Sequence, residues 1–301
     1  MTPVPLVSIG LPVYNGEQYM ERALDSLLAQ EFTDFEVIIS DNASEDATFD
    51  IAKSYAAGDS RIRLHRNPEN LGLVRNFNWT FELARGKYFK WVSHDDWHSP
   101  KSLSLTVQAL EVRPDAVVCA TGVSIVDENG VEYGHWIPSI DLDQLPAHER
   151  MHRLLWTLGE THPMYGLLRA DALAKTHLMR NHVGSDRTLL AELSLLGPFV
   201  QIPEILHFYT VAKTGRQDYR VSIMYDPRNE GQLPLRTWRL MQKHLGVVRH
   251  ADVRTRHKAL LAGSVVGRFG VRDFRRLAAE TYHSGRIIAS RAMSGRRQRA
   301  H

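Results

Sequence analysis

Tyr88-Phe89-Lys90-Trp91-Val92-Ser93-His94-Asp95-Asp96 runs an apolar stretch of strand character straight into two adjacent carboxylates. In open α/β sheets, ligands bind at the edge formed by the carboxyl ends of the strands. Neighbouring carboxylates repel each other, so such a pair is either fully solvated or engaged with a cation and a ligand. A solvated turn is the plainer reading of an isolated Asp-Asp pair. The order of the segments upstream weighs against it.

Working back from that strand, Val7-Ser8-Ile9-Gly10-Leu11 reads as a buried strand ending in the turn Pro12-Val13-Tyr14-Asn15-Gly16-Glu17. Leu24, Leu27 and Leu28 then fall on one face of a helix that ends near Gln30. Phe35-Glu36-Val37-Ile38-Ile39 is a second strand and runs into Ser40-Asp41-Asn42-Ala43-Ser44, where Ser44 suits the cap of a helix through about Tyr55. A third strand, Arg61-Ile62-Arg63-Leu64-His65, leads to Asn67-Pro68-Glu69-Asn70-Leu71-Gly72 and a helix from about Val74 to Ala84, closed by Gly86. This alternation predicts an α/β fold, with a mostly parallel mixed sheet flanked by helices. No Gly-x-Gly-x-x-Gly follows the first strand and no Gly-Lys-Ser phosphate loop occurs, so a nucleotide would be held by side chains and a metal.

Five motifs in natural order resemble family 2 of the inverting glycosyltransferases: Pro12-x-Tyr14-Asn15-x-Glu17, Ser40-Asp41-Asn42-x-Ser44-x-Asp46, Asn70-x-Gly72-x-x-Arg75-Asn76, Gly86-x-Tyr88 and Asp95-Asp96. Each is weak alone. The succession is specific and covers roughly residues 5 to 130, more loosely to about 210. The resemblance implies a GT-A fold, a UDP-, dTDP- or GDP-sugar as donor, and Mn²⁺ or Mg²⁺ as cofactor. It places Pro12, Tyr14, Asn15 and Glu17, together with Asn42, Asn70 and His94, at the nucleotide-sugar. Asp41 resembles the acidic residue that reads the base or ribose, and Arg75 faces the diphosphate side. Asp95 matches the last carboxylate of the family's Asp-x-Asp motif, which holds the metal. The first Asp of that motif is Ser93 here. One lost carboxylate weakens a hard-cation site without abolishing it, because Mg²⁺ usually takes one or two protein carboxylates plus substrate phosphates. An imidazole from His94 or His98 would tilt the site toward Mn²⁺, although a solvated loop position is the simpler reading of each.

The implied reaction explains the parts. Departure of a nucleoside diphosphate leaves negative charge that a metal stabilises. The acceptor hydroxyl is too weak an acid to attack unaided, so a carboxylate must take its proton. Gly184-Ser185-Asp186-Arg187, ahead of the helical spacing Leu189-Leu190-Ala191-Glu192-Leu193, offers that base at a helix start. The resemblance places Asp186 on the family's base position, where Glu-Asp is usual and Ser-Asp stands here. The alternative is that Ser185 or Asp186 merely caps the helix; Glu192 is the fallback base, with an ordinary exposed helix position as its plainer reading. Thr161-His162-Pro163-Met164-Tyr165-Gly166 mixes polar and aromatic groups suited to a sugar ring, which makes His162 and Tyr165, with Asp96, the candidate acceptor contacts; the alternative is a structural loop with Tyr165 packed inward.

Length and charge bound the rest. A chain of 301 residues fits one catalytic domain over 1–212, its first hundred residues binding the nucleotide-sugar and the remainder the acceptor, with a helical extension over 213–301. The single cysteine, Cys119, excludes an internal disulfide and fits a reducing compartment, as core filler rather than nucleophile. The chain opens straight into its first strand, with no signal-peptide pattern, and no apolar run nears the ~20 residues of a membrane span. Residues 1–212 hold 17 Lys+Arg against 28 Asp+Glu, and residues 213–301 hold 20 against 6, so an acidic half carries a strongly basic one. Helices are expected over 234–245, 253–269 and 272–292, the first with Leu235, Trp238, Leu240 and Met241 among basic residues, followed by the tail Arg296-Arg297-Gln298-Arg299. Such a segment either contacts an anionic membrane surface or packs back as counter-charge. No nucleic-acid motif accompanies the charge, so no nucleic-acid partner is expected.

The expectation is therefore a cytoplasmic, peripheral, metal-dependent inverting glycosyltransferase acting on a glycan or glycolipid acceptor. A sugar-nucleotide nucleotidyltransferase would need a Gly-rich, basic phosphate loop after the first strand, which Pro12-Val13-Tyr14-Asn15 does not supply. A catalytically inactive carbohydrate-binding scaffold is the other alternative, sustained by Ser93.

Overall fold

The computed structural model describes residues 4–211 except 141, and residues 235–284 except 283. Strand β1 (Val7–Val13) is buried along its whole length because it pairs in parallel on both sides, with β2 (Phe35–Asp41) and with β4 (Tyr88–Trp91). A doubly flanked parallel strand has no solvent face, which is why its sequence reads as continuous rather than alternating apolar residues. β3 (Ile62–Arg66) extends this parallel half beside β2. Helices α1 (Met20–Leu28), α2 (Thr48–Gly58) and α3 (Leu73–Glu82) make the crossovers.

After β5 (Trp97–His98) and α4 (Ser102–Val112), the second half adds β6 (Val118–Val126), β7 (Glu132–Trp136), α5 (Ala147–Thr157), a 3₁₀ turn (His162–Tyr165), β8 (Leu167–Arg169) and α6 (Ala170–Leu173). It ends with α7 (Ser185–Leu196) and β9 (Phe199–Thr210). The sheet order is β3-β2-β1-β4-β8-β6-β9-β5, with β7 on β6. β8 runs antiparallel to both β4 and β6, while β6 and β9 are parallel. The predicted mixed, mostly parallel sheet is present.

Alternation along the central strands separates two cores. Phe89 and Trp91 join a cluster with α5 and α7, whereas Tyr88 joins the cluster beneath α1 and α4. Cys119 belongs to the second cluster and is fully buried, and that burial pushes its thiol up to about 12, so it is core filler.

The C-terminal helices α8 (Arg236–His250) and α9 (Thr255–Arg272) bring Val247, Val248, Leu261, Val265 and Phe269 into the first core. They begin and end two to five residues from the expected bounds. A helical stretch over residues 274–282 follows, and the tail Arg296-Arg297-Gln298-Arg299 lies outside the described residues. Among the described residues, no helix is long and apolar enough to cross a membrane.

Two local expectations need correction. Helix α2 starts at Thr48 with Ala47 as its N-cap, because the Ser44 hydroxyl instead accepts the Asn15 N–H at 3.0 Å. Trp238 is not a free surface anchor. It packs against the first core, and its Nε1–H donates to Thr281 Oγ1 at 3.0 Å.

Candidate active site

The loops after β1 and β2 are laced together by short side-chain to backbone bonds. Thr48 Oγ1 accepts the Gly16 N–H at 2.7 Å, Glu17 Oε2 accepts the Ala47 N–H at 2.9 Å, and Asn15 Oδ1 accepts the Glu45 N–H at 2.9 Å. Asn15 holds a positive φ of 50°, which asparagine tolerates better than most residues. A Cβ on Gly16 would come within 2.6 Å of the His94 ring, so the loop after β4 packs directly on the loop after β1. Pro12, Tyr14, Asn15, Glu17 and His94 therefore meet at one sheet edge, Pro12 buried and Tyr14 and His94 half-buried.

Asp41, at the end of β2, is fully buried. Its Oδ1 accepts the Ser44 N–H at 3.2 Å. The Arg66 Nε lies 3.3 Å from Oδ2 without the alignment of a hydrogen bond, so this oxygen keeps acceptor capacity. Asn42 and Asn70 serve the loop framework. The Asn42 amide donates to Asn70 Oδ1 at 2.7 Å and accepts from Asn67 Nδ2 at 3.0 Å and the Leu71 N–H at 2.9 Å. Arg75, in the first turn of α3, reaches Glu82 Oε1 at 2.6 Å and lies over the Trp79 ring, so its guanidinium is engaged along the helix.

The Asp95–Asp96 turn is buried rather than solvated, at 7 % and 0 % exposure, which rules out the plainer reading of the pair. The Ser93 hydroxyl, at the position of the missing carboxylate, donates to Asp95 Oδ1 at 2.5 Å. Asp96 Oδ1 accepts the Thr210 N–H at 2.9 Å and Oδ2 lies 3.1 Å from His207 Nε2. Arg22, from α1, lies 3.9 Å over the Trp97 ring and donates to Thr210 Oγ1 at 3.2 Å and to the Asp95 carbonyl at 3.4 Å. α1 and β9 thus clamp the turn from two sides.

Behind the turn lies a buried basic cluster. The Lys90 ammonium donates to the Tyr165 carbonyl, and burial lowers its pKa to about 8. Burial, with the Lys90 charge, lowers His207 to about 3, so its ring is neutral and donates one N–H to Asp96. His98 is fully buried, 4.8 Å from the His207 ring, and burial with Lys90 pushes its pKa well down. Burial overturns the solvated loop position expected for His98, and a cation beside Lys90 would be opposed, so His98 is a core histidine.

The acceptor candidates gather next to this turn. The His162 ring lies 5.5 Å from Trp136, 5.2 Å from Tyr209 and 6.5 Å from His207, and Tyr165 lies 5.9 Å from His207. Since His207 bonds Asp96, the half-buried aromatic cluster and the carboxylate turn form one unit.

Asp186 is half-buried in the first turn of α7. The N-cap is Gly184 at φ 80°, which has no side chain to bond with, while Asp186 Oδ1 accepts the Arg187 N–H at 2.8 Å, so one carboxylate oxygen serves the first turn of α7. Ser185 Oγ instead accepts the Arg180 N–H at 2.7 Å. A Cβ on Gly184 would touch Leu240 of α8 at 3.0 Å, and the Asp186 carboxylate lies near enough to His244 of α8 to oppose its pKa drop. Glu192 is no ordinary exposed residue: it accepts from the His177 N–H at 2.7 Å and from Arg180 at 2.9 Å, which makes it a loop clamp.

The neutral buried histidines carry a pH prediction. Burial lowers His244 to about 4 and His207 to about 3, whereas the unfolded chain takes up their protons near the ordinary value. Their contribution to stability is present above about pH 6.5 and is lost as pH falls toward the folded values, by about 1.4 kcal/mol per pH unit for each fully neutral group. Chemical denaturation at successive pH values should show stability falling steeply below about pH 6, and His244→Phe should flatten that slope. An unchanged slope would place the acid sensitivity elsewhere.

The sequence profile of glycosyl transferase family 2 matches residues 8–176. The chain belongs to glycosyl transferase family 2. Among curated relatives, an uncharacterized glycosyltransferase of Rickettsia prowazekii is 35% identical over 155 residues, which is 51% of this chain and 46% of that protein. The putative glycosyltransferase EpsE of Bacillus subtilis is 36% identical over 141 residues, 46% of this chain and 51% of that protein. The match thus spans about half the length of each of these two relatives. Among solved structures, S. aureus TarS 1–349 in complex with UDP-GlcNAc superposes with a TM-score of 0.68 at 18% identity, covering 88% of this chain and 73% of that one. The mannosyltransferase PcManGT of Pyrobaculum calidifontis, in complex with GDP-Man and Mn²⁺, superposes with a TM-score of 0.59 at 16% identity, covering 97% and 81%. These likenesses show the GT-A fold for this family 2 chain.

Proposed function

We propose that this family 2 protein transfers a sugar from a nucleoside diphosphate donor to an acceptor hydroxyl with inversion, in the synthesis of a cell-envelope glycan or glycolipid. The observation that carries the proposal is the buried Asp95–Asp96 turn, set where the loops after β1 and β2 converge and joined through His207 to an aromatic cluster. Pro12, Tyr14 and Glu17 line the nucleotide side, and the spare acceptor capacity of Asp41 Oδ2 suits a base N–H.

No group of three His, Cys, Asp or Glu able to enclose an ion is found among the described residues. This donor set fits a hard cation that takes most of its ligands from the donor diphosphate, with Asp95 and the Ser93 hydroxyl as the protein's share. When bound, Mn²⁺ or Mg²⁺ would stabilise the charge that develops on the leaving diphosphate. Asp186 takes the acceptor proton, while His162, Tyr165 and Tyr209 orient the acceptor sugar beside Asp96. In a single inverting displacement one base suffices. A cytoplasmic location, with the basic C-terminal helices against an anionic leaflet, fits a lipid-linked acceptor.

UDP-GlcNAc, a dTDP-hexose and GDP-mannose, each with Mn²⁺ or Mg²⁺, should be compared for thermal stabilisation and nucleoside diphosphate release. One donor is expected to raise Tm and to be hydrolysed only with metal. Stabilisation without release under any condition would favour the inactive scaffold, the reading that Ser93 sustains.

A further inference from the structure

Helices α8 and α9 and residues 274–282 enclose a groove of about 600 Å³, lined by Trp238, Met241, Val266, Phe274, Leu277 and Tyr282. That volume lies in the range of small-molecule sites. The indole N–H and the threonine hydroxyl at its wall are spent locally. Trp238 Nε1–H donates to Thr281 Oγ1 at 3.0 Å and to the Leu277 carbonyl at 3.3 Å, and the Thr281 hydroxyl donates to the same carbonyl at 2.8 Å. A sugar or nucleotide would find few groups to bond, whereas a hydrocarbon chain needs none. Val266, Phe274 and Tyr282 remain 51%, 65% and 65% exposed, a cluster that water disfavours.

The surroundings are cationic. Residues 235–284 hold eleven Lys+Arg and three Asp+Glu. Two of those carboxylates are already committed: Asp273 is held by Arg268 at 2.5 Å and Arg276 at 3.7 Å, and Glu280 accepts the backbone N–H groups of Thr237 and Trp238 at 2.9 and 3.4 Å. Arg272, Arg275 and Arg276 stay exposed on the segment that forms one wall of the groove.

We propose that this groove docks the protein on an anionic bilayer leaflet, with one phospholipid acyl chain seated between α8, α9 and residues 274–282 and the flanking arginines at the head groups. The inference rests on the membrane contact proposed above and assigns it a face. Basic residues draw the helices to the leaflet, and burial of the groove's apolar side chains completes the contact. The groove also shares α8 with the contact to Gly184, two residues before Asp186, so docking here would place the bilayer on a helix that abuts the candidate base.

The full chain should be sedimented with vesicles of phosphatidylcholine alone and of phosphatidylcholine containing phosphatidylglycerol, as wild type and as Val266→Asp and Phe274→Asp. Both side chains are exposed, so Tm and donor stabilisation should not change. Wild type is expected to bind only the anionic vesicles, more weakly at high salt, and each variant to bind at least about tenfold more weakly. Failure of the wild type to bind at low salt would overturn the membrane contact itself. Wild-type binding that both variants retain would overturn the groove alone. A wild-type dimer that Phe274→Asp dissolves would assign the groove to a second copy, and a fall in Tm of both variants would assign it to the chain's own C-terminal residues.

Discussion

Asp95→Asn is expected to abolish sugar transfer while the protein keeps its fold. The amide is nearly isosteric with the carboxylate, and its oxygen can still accept from the Ser93 hydroxyl. What it loses is the charge. With Ser93 at the first motif position, Asp95 carries the only motif carboxylate in the protein's share of the proposed metal site. A chain with a spare carboxylate could tolerate this change; this chain has little reserve. A loss of at least about 10² to 10³ in kcat is expected at saturating Mn²⁺, the scale seen when one preorganised electrostatic contact at the reacting centre is removed. Tm should move little, since the carboxylate of Asp96 makes the buried bonds to the Thr210 N–H and His207, and the bond from the Thr210 hydroxyl goes to the Asp95 backbone carbonyl, which the substitution leaves in place. Near wild-type turnover would mean that the metal lies elsewhere. A large drop in Tm would mean that Asp95 holds the turn together.

The first half of the fold was legible because β1, β2 and β4 are buried along their whole length and carry their signal in consecutive residues. The second half was harder to read. β8 is only Leu167–Arg169, yet it sits antiparallel between β4 and β6 and makes the sheet mixed. The site divides in the same way. Asp95, Asp96 and the loop after β1 could be found from local order, but His207, Tyr209 and Trp136 join the site only through strand pairing more than a hundred residues away for β9 and through the β6–β7 pair. Neither Arg22 nor Lys90 belongs to a motif that singles it out in the sequence. Both acquire meaning from the Asp95–Asp96 turn they surround.

Trp238 shows the opposite limit. An amphipathic basic helix looks the same in sequence whether its apolar face meets a bilayer or a protein core, and here that Trp packs against the core. The apolar groups left exposed around the groove, Val266, Phe274 and Tyr282, lie outside the stretch that drew attention. Asn42 and Asn70 illustrate a subtler case. Asparagines in a nucleotide loop suggest ligand contacts, but their amides bond one another and fix the loop's shape.

Asp186→Asn is expected to lower kcat by about 10² to 10⁴ with little change in donor affinity. The sequence left a competing account, in which Asp186 only caps α7. Loss of a working cap costs about 1 kcal/mol of stability without touching chemistry. In the structure Gly184 is the N-cap, and Asp186 Oδ1 accepts the Arg187 N–H at 2.8 Å, a bond that the amide oxygen of Asn can keep. The Asp186 carboxylate is left half-buried beside an intact first turn, near His244. Removing its charge should therefore leave the helix in place and deprive the acceptor hydroxyl of its base. Tm and donor stabilisation would be measured alongside turnover at saturating donor, acceptor and metal. A fall in Tm with turnover preserved would restore the cap. A rise in donor KM with kcat preserved would make Asp186 a binding residue. Loss of kcat alone, with both other readings unchanged, is the outcome that general-base catalysis requires.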